Sequence, residues 1–274
     1  MSLRKTLCRI STITNLHAGA GDKEYGIVDK TVQRDPITGF PVIHSSSLKG
    51  ALRVYSQHIL KLKADRLTAI FGDETNPGTD FFLTAYLLTL PVRSNVRAFY
   101  KATCPAILND LKEKLIVFGL DNGAIECLEE VLQIDFKGNQ FVLTNAPSYK
   151  EGLIEDFHLK NNYTIMKLED NKYKNLIEIL NVEPEEFVLV RDDVFKEISD
   201  SLPVIARNRL DDQKNLWYEE VVPRQTDFFF LHMTSVEQDD LIESISENSK
   251  KTPVQIGANA SIGYGFCCFE KFFK

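Results

Sequence analysis

The sequence predicts an α+β fold, and three observations support that prediction. An alternating segment from Leu3 to Leu16 indicates a first strand, in which Cys8 and Ile10 share one face. A helical period follows, with apolar residues three or four positions apart at Leu48, Leu52, Tyr55, Ile59 and Leu62. Two apolar runs, at 81–90 and 228–233, indicate buried strands. Strands that alternate with helices in this way are typical of α+β domains.

The other elements can be placed in order along the chain. They are a glycine-bearing stretch at 17–21, a helix of about four to five turns capped by Ser45, Ser46 and Ser47, a turn-rich stretch at 72–79, a helix at 106–115, a strand and capped helix within 184–195, a helix at 239–245, and a strand, glycine loop and strand over 254–272. A ferredoxin-like sheet, as in RNA-recognition domains, fits this spacing, although periodicity alone does not select it. We expect a single domain over 1–274 with an inserted helical region at about 121–200, where the sequence becomes polar and acidic.

The composition points to a soluble protein of a reducing compartment. Apolar residues make up 43% of the chain, but no apolar run approaches the length of a membrane span. The first residues do not resemble an export signal, so we expect a cytoplasmic protein. The five cysteines form no CxxC pair and have no histidine at zinc-ligand spacing, which favours free thiols over a structural zinc site.

Charge is distributed unevenly along the chain. The formal net charge of −7 argues against a general binder of nucleic acids. Residues 1–60, however, carry eight Lys and Arg against four Asp and Glu, so the acidic excess lies in the remainder. A basic N-terminal segment on an acidic body suits a protein that holds a polyanion on one face, and uneven composition without function is the alternative.

The start of the first predicted helix has residues that are suited to binding a phosphate. Its serines lie where unpaired N–H groups and the helix dipole favour an anion. Lys49 falls in the first turn, and Arg53 falls one turn later on the same face. A capped surface helix with two solvated cations is the alternative. The segment is not a Walker loop, because its order of residues differs from that motif.

A glycine-rich loop lies near the end of the chain, at 257–266. Glycines at Gly257, Gly263 and Gly265 permit positive φ and close approach of backbone to a ligand, as a site that reads an RNA backbone needs. The spacing and the aromatic strand that follows disfavour a dinucleotide-binding loop. An ordinary hairpin turn is the alternative.

An ordered set of short motifs spans residues 17 to 266. The motifs are His17-Ala18-Gly19-Ala20-Gly21, Gly26-Ile27-Val28-Asp29, Val32-Gln33-Arg34-Asp35, Thr38-Gly39-Phe40-Pro41, Ser45-Ser46-Ser47-Leu48-Lys49-Gly50, Ile70-Phe71-Gly72, Leu216-Trp217-Tyr218-Glu219-Glu220 and the glycine loop. In this order they resemble the RAMP (repeat-associated mysterious protein) superfamily. Within it they look most like the backbone, or fourth, subunit of type III-B (Cmr) CRISPR effector complexes. In the last loop Ala258 stands where that family often has a second glycine.

The resemblance implies an RNA-recognition-like core with a β-hairpin thumb, which falls at about 203–223. Several copies stack along a guide RNA, and each thumb displaces one nucleotide of the guide–target duplex. A loop aspartate, here Asp29, then cuts the target RNA. The residues expected to contact RNA are Arg34, Ser46, Ser47, Lys49, Arg53, Arg207, Arg209, Trp217, Gly257, Asn259, Gly263 and Gly265.

Two chemical roles are open for Asp29. RNA cleavage by the adjacent 2′-hydroxyl needs in-line geometry, a proton acceptor and charge stabilisation. Asp29 could accept the proton or hold a divalent ion, Mg²⁺ or Mn²⁺, and we favour metal assistance because an ordinary aspartate is a weak base at neutral pH. His17 is a second candidate acid or base, although a hydrogen-bonded loop anchor is its commoner role. Glu219 and Glu220 are interpreted first as hairpin anchors and second as metal ligands.

The leading hypothesis is therefore an endoribonuclease subunit. Its partners would be guide RNA, target RNA, further copies of itself and other Cmr subunits. The alternatives are a structural RNA-binding subunit without catalysis, a RAMP nuclease that processes guide precursors, and the type III-A backbone subunit. The Leu216-Trp217-Tyr218-Glu219-Glu220 run favours type III-B over type III-A.

Overall fold

The structure, a computed structural model, describes residues 3–21, 28–120, 123–144, 146–147, 151–166, 174–208, 216–236 and 241–272. The chain divides into two compact units. The first is formed by Met1–Tyr86 and Leu202–Phe272, and the second by Leu87–Ser201. The range predicted as an insertion falls inside the second unit, which begins well before it.

Strands and helices alternate along the described residues, and both classes are present as predicted. The strands are β1 (Arg4–Thr12), β2 (Val42–Ile43), β3 (Asp80–Phe82), β4 (Ala85–Arg93), β5 (Phe99–Thr103), β6 (Phe141–Leu143), β7 (Leu153–Ile154), β8 (Phe157–His158), β9 (Tyr163–Ile165), β10 (Phe187–Val190), β11 (Val204–Asn208), β12 (Leu216–Glu220), β13 (Asp227–Thr234), β14 (Val254–Gln255) and β15 (Phe266–Lys271). The helices are α1 (Ser45–His58), α2 (Ala64–Phe71), α3 (Pro105–Phe118), α4 (Ala124–Leu132), α5 (Lys174–Leu180), α6 (Asp192–Asp200) and α7 (Leu241–Ser249).

The sheet of the first unit is built around β1. This strand pairs antiparallel with β13 on one side and with β15 on the other, so that Ile10 lies opposite Phe228 and Phe269. Both edges of β1 are paired as a result. Arg9, on the face opposite Ile10, is only 6% exposed; it forms an ion pair with Glu270. The strand ends at Thr12, four residues before the end of the predicted alternating segment.

The order of elements in the first unit matches a known motif. The sheet order runs β15, β1, β13 and β4, and the chain leaves the unit within β4, after Tyr86. In chain order, β1, α1, β4, β13, α7 and β15 give the β-α-β-β-α-β sequence of a ferredoxin-like fold. Helix α7 packs on β15, and α1 packs on α2.

In the second unit, β4, β5, β10, β6 and β9 are hydrogen-bonded in that order. β5 pairs antiparallel with β4, opposing Ala102 to Leu90, and parallel with β10, opposing Ala102 to Val188. β6 pairs with β10 and β9. Helices α3, α4 and α5 pack together, with Leu111 and Leu128 completely buried.

A two-stranded hairpin, β11 with β12, lies within the predicted thumb. Its register pairs Val204 with Glu220 at one end and Asn208 with Leu216 at the other. Residues 209–215, including the predicted RNA contact Arg209, lie outside the described residues. We call the end of the hairpin that carries Glu219 and Glu220 the hairpin base.

Two local predictions, both about the first helix, need correction. The N-cap of α1 is His44, without a side-chain cap hydrogen bond, and the three serines form the first turn instead. The helix ends at His58, four residues before the predicted helical pattern ends at Leu62, and a second helix, α2, begins at Ala64. Ile70 and Phe71 form the buried end of α2, directly before the predicted turn-rich stretch. None of the helices in the described part of the chain is long and apolar enough to cross a membrane.

Candidate functional site at the hairpin base

Asp29 lies beside the hairpin base. Its exposed carboxylate accepts a hydrogen bond of 2.7 Å, at Oδ2, from the backbone N–H of Tyr218. The next residue, Lys30, pairs with β12: its N–H donates to the Tyr218 carbonyl at 3.1 Å, and its carbonyl accepts from the Glu220 N–H at 2.8 Å. The chain after Asp29 thus runs alongside β12. Gly26 and Ile27, which belong to the same predicted motif, lie outside the described residues.

Glu220 joins several segments at the hairpin base. Its Oε2 accepts a 2.9 Å hydrogen bond from the N–H of Val32, and its Oε1 accepts one from the guanidinium of Arg34. Its carbonyl lies 2.7 Å from Nδ1 of His17. The side chain is buried, and a buried carboxylate is stable only when its oxygens have donors of this kind. Arg34, predicted to bind RNA, therefore has an internal partner.

Glu219 joins the hairpin to the glycine loop. Its Oε2 accepts hydrogen bonds from Nε of Arg207 at 3.2 Å and from Nδ2 of Asn259 at 2.8 Å. Nε2 of His17 lies 3.8 Å from its other oxygen. The residue is only 2% exposed, so these protein donors surround a carboxylate that has almost no access to solvent. The contacts are those of a hairpin anchor.

His17 is buried between the two glutamates, at 3% exposure. A carbonyl oxygen can only accept, so Nδ1 carries the proton in the contact with Glu220. The ring thereby ties the segment before Asp29 to β12. In this position it presents almost no surface to RNA.

The glycine loop connects β14 to β15 and passes close to the same residues. Gly257 and Gly265 have φ of 79° and 76°, and a Cβ at Gly265 would lie 1.9 Å from the carbonyl oxygen of Ile256. At Gly257 it would lie 2.3 Å from the carbonyl oxygen of His17, which accepts from the Ala258 N–H. The backbone here approaches its neighbours too closely for any larger residue. Ala258, where the family often has glycine, is accommodated without positive φ.

Two cation–ring contacts flank the hairpin. The guanidinium of Arg207 lies 4.5 Å from the ring centre of Tyr264, and Nζ of Lys30 lies 5.3 Å from that of Trp217. Nη2 of Arg207 and Nε1 of Trp217 are buried and have no acceptor among the described residues. Both donors belong to side chains predicted to contact RNA.

The N-terminus of α1 is linked to this region through Gln33, which the sequence analysis did not single out. Nε2 of this buried side chain donates to the Gly19 carbonyl at 3.1 Å and to Oγ of Ser47 at 2.9 Å. Its Oε1 accepts from the N–H of His44 at 2.7 Å. The only signal for the role of Gln33 in the sequence was that a polar residue stands between Val32 and Arg34 inside a motif.

The predicted phosphate site on α1 is only partly supported by its contacts. Ser46 is exposed and Lys49 is half-buried, so both can be reached from solvent at the first turn. Ser47 is engaged by Gln33, as described above. Arg53 donates to the carbonyl of Gly72, just after α2, at 2.8 Å. Ser46 and Lys49 are therefore the side chains best placed to meet an anion.

The described residues do not include a metal site made by the protein alone. In the parts of the chain that the structure describes, no three His, Cys, Asp or Glu side chains are grouped as ligands. The two buried glutamates are already matched with protein donors. Asp29 is a single exposed carboxylate, and one carboxylate supplies only part of the oxygen ligands that Mg²⁺ takes.

Comparison with known proteins places these features in a family. The sequence pattern of the RAMP superfamily matches residues 9–268. The chain is 29% identical to the "CRISPR system Cmr endoribonuclease Cmr4" of Pyrococcus furiosus, over 96% of this chain and 94% of that protein. It is 27% identical to the "CRISPR system Cms endoribonuclease Csm3" of Streptococcus thermophilus, over 54% of this chain and 76% of that protein.

Solved structures share the same fold. A chain of "Type III-B Cmr-beta bound to cognate target RNA" superposes with a TM-score of 0.79 at 23% identity, covering 98% of this chain and 97% of that one. The "oligomeric Cmr4 from Pyrococcus furiosus" superposes with a TM-score of 0.71 at 24% identity, covering 99% of both chains. The α+β architecture predicted from the sequence is thereby confirmed.

Proposed function

The chain belongs to the RAMP superfamily, and we propose that it is the guide-RNA-binding backbone subunit of a cytoplasmic type III-B CRISPR ribonucleoprotein that cleaves target RNA beside Asp29. The observation that carries the proposal is the position of Asp29. Its carboxylate is exposed to solvent yet fixed to the hairpin base through the Tyr218 N–H. The relative named as a Cmr endoribonuclease aligns over nearly the whole chain, which favours this function over the type III-A alternative.

RNA binding is supported by the first unit. Ser46 and Lys49 lie at the start of α1, where free N–H groups attract phosphate. At Gly263 of the glycine loop, nothing lies within 4 Å of the position that a Cβ would take, which leaves room for the close approach of an RNA backbone. Such contacts fix the register of an RNA without reading its sequence. A subunit of this kind accepts any guide.

Copies of the chain would lie side by side along the guide, next to other Cmr subunits. This part of the proposal is supported by the likeness to a chain named as oligomeric and to one named as part of a Cmr assembly. Each copy would bring one Asp29 to the duplex. Cuts in the target would then recur at a constant spacing.

The proposed chemistry is attack by a 2′-hydroxyl on the adjacent phosphate. The O2′–P bond forms as the P–O5′ bond breaks, the 2′ proton passes to an acceptor, and the leaving 5′ oxygen gains a proton. The products are a 2′,3′-cyclic phosphate and a 5′-hydroxyl. A base displaced by the hairpin frees the backbone from helical geometry, so that the attacking oxygen can reach the in-line position.

We further propose that a divalent ion assists the reaction. Asp29 and the phosphate oxygens would hold Mg²⁺ or Mn²⁺, which would offset the negative charge that develops on the phosphoryl oxygens. Asp29 itself would fix the position of the ion relative to the hairpin. His17 and Glu219, both buried, would keep the loop and the hairpin together rather than touch the RNA.

The decisive experiment assembles the complex with wild-type chain or with Asp29→Asn, and measures bound guide RNA and cleavage of a labelled target. Asparagine keeps an oxygen for the Tyr218 N–H but removes the charge, so we expect normal guide binding and no cleavage. Asp73→Asn is the matched control, because Asp73 is another exposed carboxylate that accepts a backbone N–H, from Thr75 at 2.9 Å. It should cut like the wild type. RNA binding without cutting by the wild type would leave the structural-subunit alternative, and cutting by Asp29→Asn would reject the assignment.

A further inference from the structure

Glu220 holds both ends of the chain segment that carries Asp29. Before that segment, Nδ1 of His17 bonds to the Glu220 carbonyl. After it, the Lys30 carbonyl accepts from the Glu220 N–H, and the Val32 N–H donates to the Glu220 carboxylate. One residue of β12 therefore closes the loop between 17 and 30.

Asp29 is adjacent to the closed end of this loop. Only one peptide bond separates it from Lys30, whose carbonyl is bonded to Glu220. A displacement of the segment from Lys30 to Arg34 is therefore passed directly to the Asp29 backbone. A catalytic group displaced by about 1 Å can lose on the order of 100-fold in rate.

We infer that Glu220 is a positioning residue for RNA cleavage, acting through Val32 and Arg34 on the location of Asp29. The inference rests on the function proposed above. Glu220 itself does not touch RNA, since its side chain is buried and both of its oxygens face protein donors. Its effect is expected on the rate of cutting and not on the affinity for RNA.

The role depends on the carboxylate rather than on the size of the side chain. Each oxygen of Glu220 faces a donor, the Val32 N–H on one side and the Arg34 guanidinium on the other. Glutamine has the same shape but only one accepting oxygen; its NH₂ group would face a second donor. One of the two contacts is then lost, and a buried donor is left without its partner.

The test compares Glu220→Gln with Asp80→Asn in the assembled complex. Asp80 is a matched control, because it is a buried carboxylate of the same unit that pairs with His232 at 2.7 Å. We measure the single-turnover cleavage rate at saturating target, the Kd for target RNA, and the thermal unfolding midpoint. We expect Glu220→Gln to slow cleavage about 10- to 100-fold with the Kd changed less than about 2-fold. Asp80→Asn should lower the unfolding midpoint but keep the cleavage rate within about 2-fold of the wild type.

Several outcomes would overturn the inference. They are wild-type cleavage by Glu220→Gln, a loss of rate that is fully explained by a weaker Kd, and an equal loss of rate in Asp80→Asn. If Glu220→Gln does not assemble, Arg34→Met takes its place, since it removes one of the two contacts and leaves the Val32 N–H bonded. It should slow cleavage less than 100-fold at an unchanged Kd, and an unchanged rate would reject the inference. A wild-type complex that binds RNA but never cuts would instead reject the proposed function.

Discussion

The carboxylate of Asp29 and the backbone N–H of Tyr218 are joined by a 2.7 Å hydrogen bond across 189 positions of the sequence. The aspartate and the hairpin are therefore parts of one structural unit. Any change that moves β12 also moves the carboxylate. If the hairpin meets RNA, its position sets where Asp29 meets the phosphate backbone.

Lys49→Ala should weaken guide-RNA binding without any preference for sequence. Lys49 lies in the first turn of α1 and reaches solvent, so its expected partner is a phosphate. The slope of log K against log salt should become shallower by about one unit or less for one lost contact. Lys160→Ala, an exposed lysine of the second unit, is the control and should keep the wild-type slope. An unchanged slope for Lys49→Ala would identify it as a solvated surface residue.

Gly265→Ala should destabilise the protein by at least about 1–3 kcal/mol, because its φ of 76° is unfavourable for alanine and the new Cβ would overlap the Ile256 carbonyl. Gly50→Ala is the matched control, for which the opposite effect on stability is expected. Gly50 lies within α1 with open space around it, so alanine should stabilise by about 0.5–1 kcal/mol. Denaturant unfolding of the two variants measures both effects. If the two variants have equal free energies of unfolding, the glycine loop does not depend on the close approach of Gly265 to the Ile256 carbonyl.

The sequence predicted most reliably what depends on neighbours along the chain. Leu48, Leu52 and Tyr55 recur at helical spacing, and all are buried on one side of α1. Gly265 was recognised because only glycine combines positive φ with a close backbone approach. In both cases the physical cause lies within about ten residues of the chain.

Contacts between distant segments could not be predicted in the same way. The partner of the Val32 N–H is the side chain of Glu220, and no local pattern specifies that pairing. Gln33 is buried for the same reason, since its three partners belong to other segments. The strand β11 was predicted only as part of the hairpin that the family resemblance implies, because none of its residues is fully buried and its sequence has no apolar run. Such features depend on the register of the whole sheet.

Removal of divalent ions should stop cleavage while leaving RNA bound. Among the described residues at the hairpin base, Asp29 is the one exposed carboxylate, so the affinity for metal should be low and depend on the RNA phosphate. EDTA is therefore expected to abolish cutting, and added Mg²⁺ or Mn²⁺ to restore it, with an unchanged Kd for target RNA. A calcium-free buffer that contains a weaker chelator than EDTA is the control, and it shows whether chelation as such disturbs assembly of the complex. Cutting at full rate in EDTA would mean that Asp29 acts as the proton acceptor instead.

The hairpin provides a test that separates positioning of the RNA from binding of the RNA. Asn208 and Leu216 form the last pair in its register, so residues 209–215 can be replaced by Asn-Gly, a two-residue turn that preserves the pairing. The shortened chain keeps Asp29, its contact with Tyr218, and the phosphate site on α1. Guide binding should persist, since most of the expected phosphate contacts lie elsewhere.

Cleavage by the shortened chain should fall by orders of magnitude, because an undistorted duplex holds the 2′-hydroxyl away from in-line attack. The measurement is the cleavage rate and the spacing of cuts along a long target, with a seven-residue Gly-Ser replacement as the control for loop length. If the shortened hairpin cuts at the wild-type rate and spacing, the hairpin does not create the cut site, and the geometry for in-line attack must come from the segment that carries Asp29.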